Sequence, residues 1–179
     1  MAEETESVVE SLSDEITEKA QKTREGWLKA SALISALLAV MAAVASLEAA
    51  HTANDAMIAQ LKASDQWGYY QAKGIKGIVI ESENTLLTQM GHPQPEIAKR
   101  IQKYKDDQEQ AKKDAEEFSE VSRHNMEKHE VFSRAVTLGQ VSIALVAIAL
   151  LTKRRRFVLV SCALGLIGLG FLIQGALMG

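Results

Sequence analysis

A single cysteine, Cys162, excludes an intrachain disulfide and leaves the redox compartment unindicated. Its place inside an apolar run fits a small packing residue, because a thiolate is costly in lipid-like surroundings. Prolines are equally scarce. Pro93 and Pro95 are the only two, and both lie in Gly91-His92-Pro93-Gln94-Pro95. Aromatic residues make up 5% of the chain and alternating β-branched patterns are almost missing, which argues against a sheet protein and for long helices. Neither sign of charge dominates: 20 Lys and Arg against 23 Asp and Glu give a net charge of -3. The basic residues are interleaved with acidic ones, so no nucleic-acid footprint is present. No glycine-rich phosphate loop follows a strand, no Gly-x-Ser-x-Gly elbow occurs, and one cysteine cannot form a Cys-x-x-Cys pair. Ser64 and Asp65 have no histidine that can be assigned to them. An enzyme is not expected.

What the sequence does contain is a partition. The mean hydropathy lies near zero, as for an ordinary soluble domain of 179 residues, yet the apolar residues are concentrated in three uncharged runs. These are Ala30 to Leu47, Ala135 to Thr152 and Phe157 to Gly179, of 18, 18 and 23 residues. A bilayer core of about 30 Å takes roughly 17 to 25 helical residues, so all three qualify as spans. The first is rich in alanine, but Leu33, Ile34, Leu37, Leu38, Val40, Met41, Val44 and Leu47 carry its transfer energy. A cleaved signal peptide ending at Ala43-Val44-Ala45 fits less well, since eight acidic residues from Glu3 to Glu25 precede the run where a short basic start is wanted.

Short-loop basic charge orients the spans. Lys153, Arg154, Arg155 and Arg156 form the connection between the last two runs, and such clusters stay cytoplasmic; the same cluster suits anionic lipid headgroups. Three spans then place the N-terminus inside and the central segment and C-terminus outside. Lys19, Lys22, Arg24 and Lys29 agree with this. The expected organisation is an acidic cytoplasmic segment at 1–27, a first span at 28–48, an extracytoplasmic segment at 49–134, a second span at 135–152, a basic loop at 153–156 and a third span at 157–179.

Within the central segment the proline cluster is the strong punctuation, because proline ends one helix and begins another. It divides the segment into arms of similar length, each about 60 Å at 1.5 Å per residue. Equal arms returning to one membrane face suggest an antiparallel helical hairpin with its turn near 91–95. The returning arm carries a 4,3 seam through Ile97, Ile101, Tyr104, Gln108, Ala111, Ala115, Phe118, Ser122, Asn125, His129, Phe132 and Val136, which is coiled-coil spacing. Its polar members, Gln108, Ser122, Asn125 and His129, suit setting register or facing a wider bundle. Lys103, Lys105, Asp106, Asp107, Glu109, Lys112, Lys113, Asp114, Glu116 and Glu117 fall on the outer faces. The outgoing arm reads as less regular: Gly68, Gly74 and Gly77 each cost about 1 kcal/mol against alanine, and Ile78-Val79-Ile80 favours extended structure. A bend or break near Gly74 to Ile80 is expected. Trp67, Tyr69 and Tyr70 form an aromatic cluster suited to packing between helices more than to a membrane-surface belt.

In the third run Ser161, Gly165, Gly168, Leu172, Gly175 and Gly179 follow the 4,3 spacing and give a mostly small face that lets helices approach closely in lipid. Ser35, Ala39, Ala42 and Ser46 form a comparable stripe in the first. Gln140 and Gln174 are expected at similar depth toward the outer leaflet, within reach of a hydrogen bond. No charged residue interrupts a span, which counts against a proton relay, voltage sensor or ion-coupled carrier. A metal site would draw on His124 and His129 with Glu120, Glu127 or Glu130. Five residues turn a helix by about 500°, however, so the two imidazoles diverge, and no metal is expected. His51 and His92 read as surface residues.

The stretch Ala63-Ser64-Asp65-Gln66-Trp67-Gly68-Tyr69-Tyr70-Gln71-Ala72-Lys73-Gly74-Ile75-Lys76 resembles a bacterial membrane family described as domain of unknown function 4337. Its motif usually has alanine where Gly68 stands and serine where Gly74 stands. Asp65, Gln66, Trp67, Tyr69, Tyr70, Gln71, Lys73 and Lys76 carry the match. The acidic start, the small-residue first span, the charged middle and the ending from Leu138-Gly139-Gln140-Val141-Ser142-Ile143-Ala144 through Lys153 to Gly179 extend it over nearly the whole chain. The resemblance implies a three-span protein of the bacterial inner membrane with a helical extramembrane segment. It implies no activity and no catalytic residue.

The expectation is therefore an all-α, three-span, non-enzymatic membrane protein without cofactor. It would contact membrane lipids and act as a structural or accessory component through its hairpin, as a homo-oligomer or within another membrane protein complex. The alternatives are an oligomeric pore lined by Gln140, Ser142, Gln174 or the small faces, and a sensor or adaptor using the acidic segment Met1 to Gly26.

Overall fold

Three α-helices account for nearly all of the chain. The structure, a computed structural model, describes residues 2–92 and 94–178, with side chains from Gly26 onward. Helix α1 runs Ala2–Gln89, α2 Pro95–Thr152 and α3 Arg155–Leu177, and no strand occurs among the described residues. All three helices are long and apolar enough to cross a membrane. The acidic segment ahead of Gly26, with Lys19, Lys22 and Arg24, lies outside the residues whose side chains are described, as does Gly179.

The punctuation falls where the backbone chemistry requires it. Helix α1 ends in a Schellman motif: the His92 amide donates to the Leu87 carbonyl at 2.9 Å and the Gly91 amide to Thr88 at 3.2 Å. This closure needs a left-handed residue after the cap, and Gly91 supplies it with φ 81°. Pro95 then opens α2 as its first residue, where the missing amide proton costs nothing, and Glu96 follows in the first turn, where a negative charge suits the helix dipole.

The chain divides into two compact units, Met1–Glu48 with Val131–Gly179, and Ala49–Glu130. In the second unit α1 and α2 pack through small residues. Ala49, Ala56, Ala59 and Ala63 of α1 and Ala111 and Ala115 of α2 are each at most 7% exposed. Every seam position from Ile97 to His129 is buried or half-buried. Partners of successive α1 residues lie progressively earlier in α2: Ala49 meets His129, Ala56 meets Ser122, Lys73 meets Asp107 and Gly77 approaches Tyr104. Methyl-sized side chains bring the backbones close enough for side chains of one helix to reach carbonyls of the other. The Ser122 hydroxyl donates to the Ala56 carbonyl, and His129 Nδ1 lies 2.8 Å from the Ala49 carbonyl, a geometry that makes Nδ1 the protonated nitrogen.

Two expectations are corrected here. No break occurs near Gly74 to Ile80, since α1 continues unbroken to Gln89. Of the three glycines expected to weaken it, two lie against α2: a Cβ at Gly74 would stand 2.5 Å from Gln108 Nε2, and one at Gly77 would stand in ordinary contact, 4.0 Å from the Tyr104 Cβ. Ile80 closes the run at 6% exposed. Contacts of this kind outweigh a propensity deficit of about 1 kcal/mol per glycine. Asp107 and Asp114, placed by spacing on the outer faces, are instead half-buried.

In the first unit the three helices meet at glycines. A Cβ at Gly165 would lie 2.5 Å from Leu38 Cδ2, one at Gly175 2.6 Å from the Phe132 ring, one at Gly168 3.2 Å from the Leu138 Cβ, and one at Gly139 3.0 Å from the Ala42 Cβ. The Ser161 hydroxyl, fully buried, donates to the Ser142 carbonyl at 2.7 Å, while Ser142 returns its own hydroxyl to Leu138. Both hydroxyls are thereby satisfied without water.

Candidate functional site

The residues that carry the sequence motif divide by helical position. Gln66, Trp67, Tyr70 and Lys73 are half-buried, whereas Asp65, Tyr69, Gln71 and Lys76 are exposed. Trp67 and Tyr70 meet edge to face, with ring centroids 5.5 Å apart and planes at 81°, a favoured aromatic geometry. Lys73 is the centre of the group. Its ammonium lies 2.5 Å from Asp107 Oδ2, 4.8 Å from the Tyr69 ring centroid and 5.3 Å from that of Tyr104.

This enclosure leaves the Lys73 side chain 14% exposed and that of Asp107 29%. The cation keeps its charge because the carboxylate and two aromatic faces replace the water it loses. The Asp107 hydrogen bond is the largest influence, Tyr69 the next, and together they hold the Lys73 ammonium well above its ordinary value of 10.5. A lysine so held neither attacks a carbonyl nor accepts a proton near neutral pH, since both tasks need the free amine. The chemistry available to the cluster is that of a clamp: one charge-assisted bond, placed between two aromatic rings, that joins α1 to α2 at one register. Neighbouring contacts repeat the pattern more weakly, with Lys105 on Glu81 at 2.8 Å and Lys62 5.5 Å from the Phe118 ring centroid.

Outside the clamp the charged residues of α2 pair along their own helix. Lys113 reaches Glu109 at 2.9 Å, and Arg123 binds both Glu120 and Glu127. These partners hold the Glu109 and Glu120 carboxyls below their ordinary value of 4.5. His51, His92 and His124 are exposed and His129 is half-buried. Among the described residues no group of three His, Cys, Asp or Glu side chains is placed to hold a metal ion.

The remaining sequence candidates lie in the first unit. Gly165, Gly168 and Gly175 are buried. Gln140 and Gln174 are both exposed and no hydrogen bond joins them, contrary to the expected pairing. Cys162 is half-buried, beside an open apolar groove lined by Ile34, Leu38, Met41, Gly165 and Leu169. The basic loop is tighter than its four residues suggest. Helix α3 begins at Arg155 with Arg154 as its cap, so Arg155 and Arg156 form its first turn, and Lys153 takes a left-handed φ of 56°. All four basic side chains are exposed.

Spacing alone missed two features. Asp107 and Tyr104 complete the Lys73 clamp, and only a fold-back about Gly91 and Pro95 brings them together. The seam of α1 was also missed: Thr52, Ala56, Ala59, Ala63, Gln66, Tyr70, Lys73, Gly77 and Ile80 are buried or half-buried at alternating steps of four and three. The signal was present in the spacing, but the residues are small or polar and do not register as a hydrophobic repeat.

Comparison with known proteins agrees with the motif. A family model described as domain of unknown function (DUF4337) matches residues 27–178. No curated protein and no solved structure matches the chain.

Proposed function

The chain belongs to the DUF4337 family, and from that premise we propose that it is a non-enzymatic integral membrane protein, a structural or accessory component that works through an extracytoplasmic helical hairpin. In this reading the three apolar helical stretches span the bacterial inner membrane. The basic residues Lys153 to Arg156 hold the α2–α3 turn in the cytoplasm, where they also meet anionic headgroups. The paired arms of α1 and α2 stand outside as a coiled-coil-like hairpin that associates with further copies, or with another membrane protein.

The observation that carries this reading is the Lys73–Asp107 clamp between the Tyr69 and Tyr104 rings. The most elaborate polar cluster outside the apolar stretches is spent on fixing the register of two helices, and the motif that defines the resemblance is built around it. The use of such a fixed pair of helices is to present its outer faces. Mass measured in nanodiscs tests the proposal: a mass corresponding to more than one copy, or to a stoichiometric complex, is expected, and a strict monomer without a co-purifying partner contradicts it.

A second reading, an oligomeric pore, draws on one observation. Gln140 and Gln174 are exposed on helical stretches that are otherwise mostly apolar, and an amide facing lipid without a partner is costly. Further copies would supply partners or enclose a polar path. Conductance in planar bilayers separates the two, being expected only for the pore.

A further inference from the structure

The two arms of the second unit have unlike outer faces. On α2 the outward positions are charged and tied into pairs such as Lys113–Glu109 and Arg123–Glu127, as expected of a surface facing water. On α1 every outward position between Met57 and Gln89 is exposed, and Asp65 is the one that carries a charge. Met57, Leu61, Ile75, Val79 and Leu86 are each between 60% and 64% exposed. The positions between them are filled by other apolar residues, by Gly68 and Ala72, or by uncharged polar side chains such as Ser64 and Gln71.

We propose that this outward face of α1, from Met57 to Gln89, is the surface through which two copies of the chain dimerise. The inference rests on the reading above, that the hairpin stands outside the membrane and self-associates, and it names the face and the partner.

Three observations select a second copy. The first is area. The apolar residues on this face leave on the order of 800 Å² exposed, more than the few hundred Å² usual for the largest patch on a monomer and close to the roughly 800 Å² that each partner contributes to a standard interface. The second is charge. A foreign partner recognised by electrostatic complementarity needs a charged face, and a helix lying on a membrane surface needs basic flanks; here the flanks carry Lys62, Lys76, Glu81 and Glu83 in mixture. A face whose one charge is Asp65 meets its own copy with a single like-charge contact, where a charged face would meet many in an isologous pairing. The third is Gly68. Nothing lies within 4 Å of a Cβ built there, so its own fold gives no reason for a glycine, whereas a second helix laid along the face gains closer backbone approach from it.

Copies inserted in the same membrane share one orientation, so the α1 arms run side by side about an axis along the membrane normal. Each residue on the face then lies near its own copy.

The test uses the full-length chain with Cys162→Ala in native membranes, adding Ile75→Cys or Val79→Cys on the face, or Lys113→Cys on the opposite side. Mild oxidation is expected to give disulfide-linked dimers from the first two and none from Lys113→Cys. In nanodiscs, Ile75→Glu with Val79→Glu is expected to halve the mass while circular dichroism shows unchanged helix content. If the parent chain is oligomeric but Ile75→Cys and Val79→Cys fail to crosslink, or the double glutamate variant keeps its mass, the face is wrong and self-association survives. If the parent is a single copy, the dimer face falls, and if no partner co-purifies either, the reading above falls with it. Labelling of Ile75→Cys by a lipid-borne photoprobe in a monomeric chain would assign the face to the bilayer and overturn the proposal.

Discussion

Lys73 of α1 and Asp107 of α2 are 34 residues apart in sequence, yet Nζ and Oδ2 stand 2.5 Å apart with most of the lysine side chain covered. Removing either partner leaves the other half-buried and unpaired, which costs more than the pair contributes. Lys73→Met and Asp107→Asn are each expected to lower the thermal unfolding midpoint, and the double variant is expected to unfold no earlier than the worse single one. Circular dichroism melts of the four chains give the comparison; strictly additive shifts would show that the two side chains are not coupled.

The alanine seam makes a prediction opposite to that for an ordinary apolar core. Ala56 and Ala115 are 1% and 0% exposed, so a larger side chain has no space to enter. Ala56→Leu or Ala115→Leu is expected to destabilise by about 1 to 3 kcal/mol despite the added hydrophobicity. Equilibrium unfolding in mild detergent measures this, and a gain in stability would mean that the helices are farther apart than described.

Gly175 is backed by the Phe132 ring, which would stand 2.6 Å from an added Cβ. Gly175→Ala is expected to cost about 1 to 3 kcal/mol, and Phe132→Leu in the same chain is expected to recover part of the loss. Thermal melts in detergent read both effects. A neutral Gly175→Ala would remove the packing role given to this glycine.

Dependence on pH follows from the direction of each shift. Lys73 is raised in the folded state, so its contribution is complete below 10.5 and disappears only as the pH rises through the higher folded value. Glu109 and Glu120 are lowered, so theirs is present above 4.5 and is lost as the pH falls through the folded values. The unfolding midpoint is therefore expected to be level between pH 6 and 10 as far as these groups decide it, and to fall on the acid side below 4.5. Glu109→Gln with Glu120→Gln is expected to make the acid limb shallower, and an unchanged limb would assign it to other carboxyls.

Much of this was legible in the sequence, and what was not has physical causes. The three apolar stretches and the turn could be read directly, because apolar run length and the pair Gly91 and Pro95 are local signals. The α2 seam was equally readable, since Ile97, Ile101, Phe118 and Phe132 announce it. The α1 seam was not, because alanine, glycine and threonine pack closely without standing out as apolar. Gly74 and Gly77 read as a break for the same reason, although both lie on the side of α1 that meets α2, Gly74 against Gln108 and Gly77 beside Tyr104. Asp107 was misplaced because helical spacing assigns a face and cannot foresee a cation reaching across from the other arm. Gln140 and Gln174 were paired by depth alone, which does not say which way a side chain points.

The central claim is that the α1 and α2 arms stand outside the membrane on a three-span anchor. Single cysteines at Lys62 and Lys112, introduced into a Cys162→Ala background and treated with a membrane-impermeant thiol reagent on intact cells, test it most directly. Both positions are exposed, and both are expected to be labelled from the outside without permeabilisation. Labelling of both only from the cytoplasmic side would contradict the account and invert the topology.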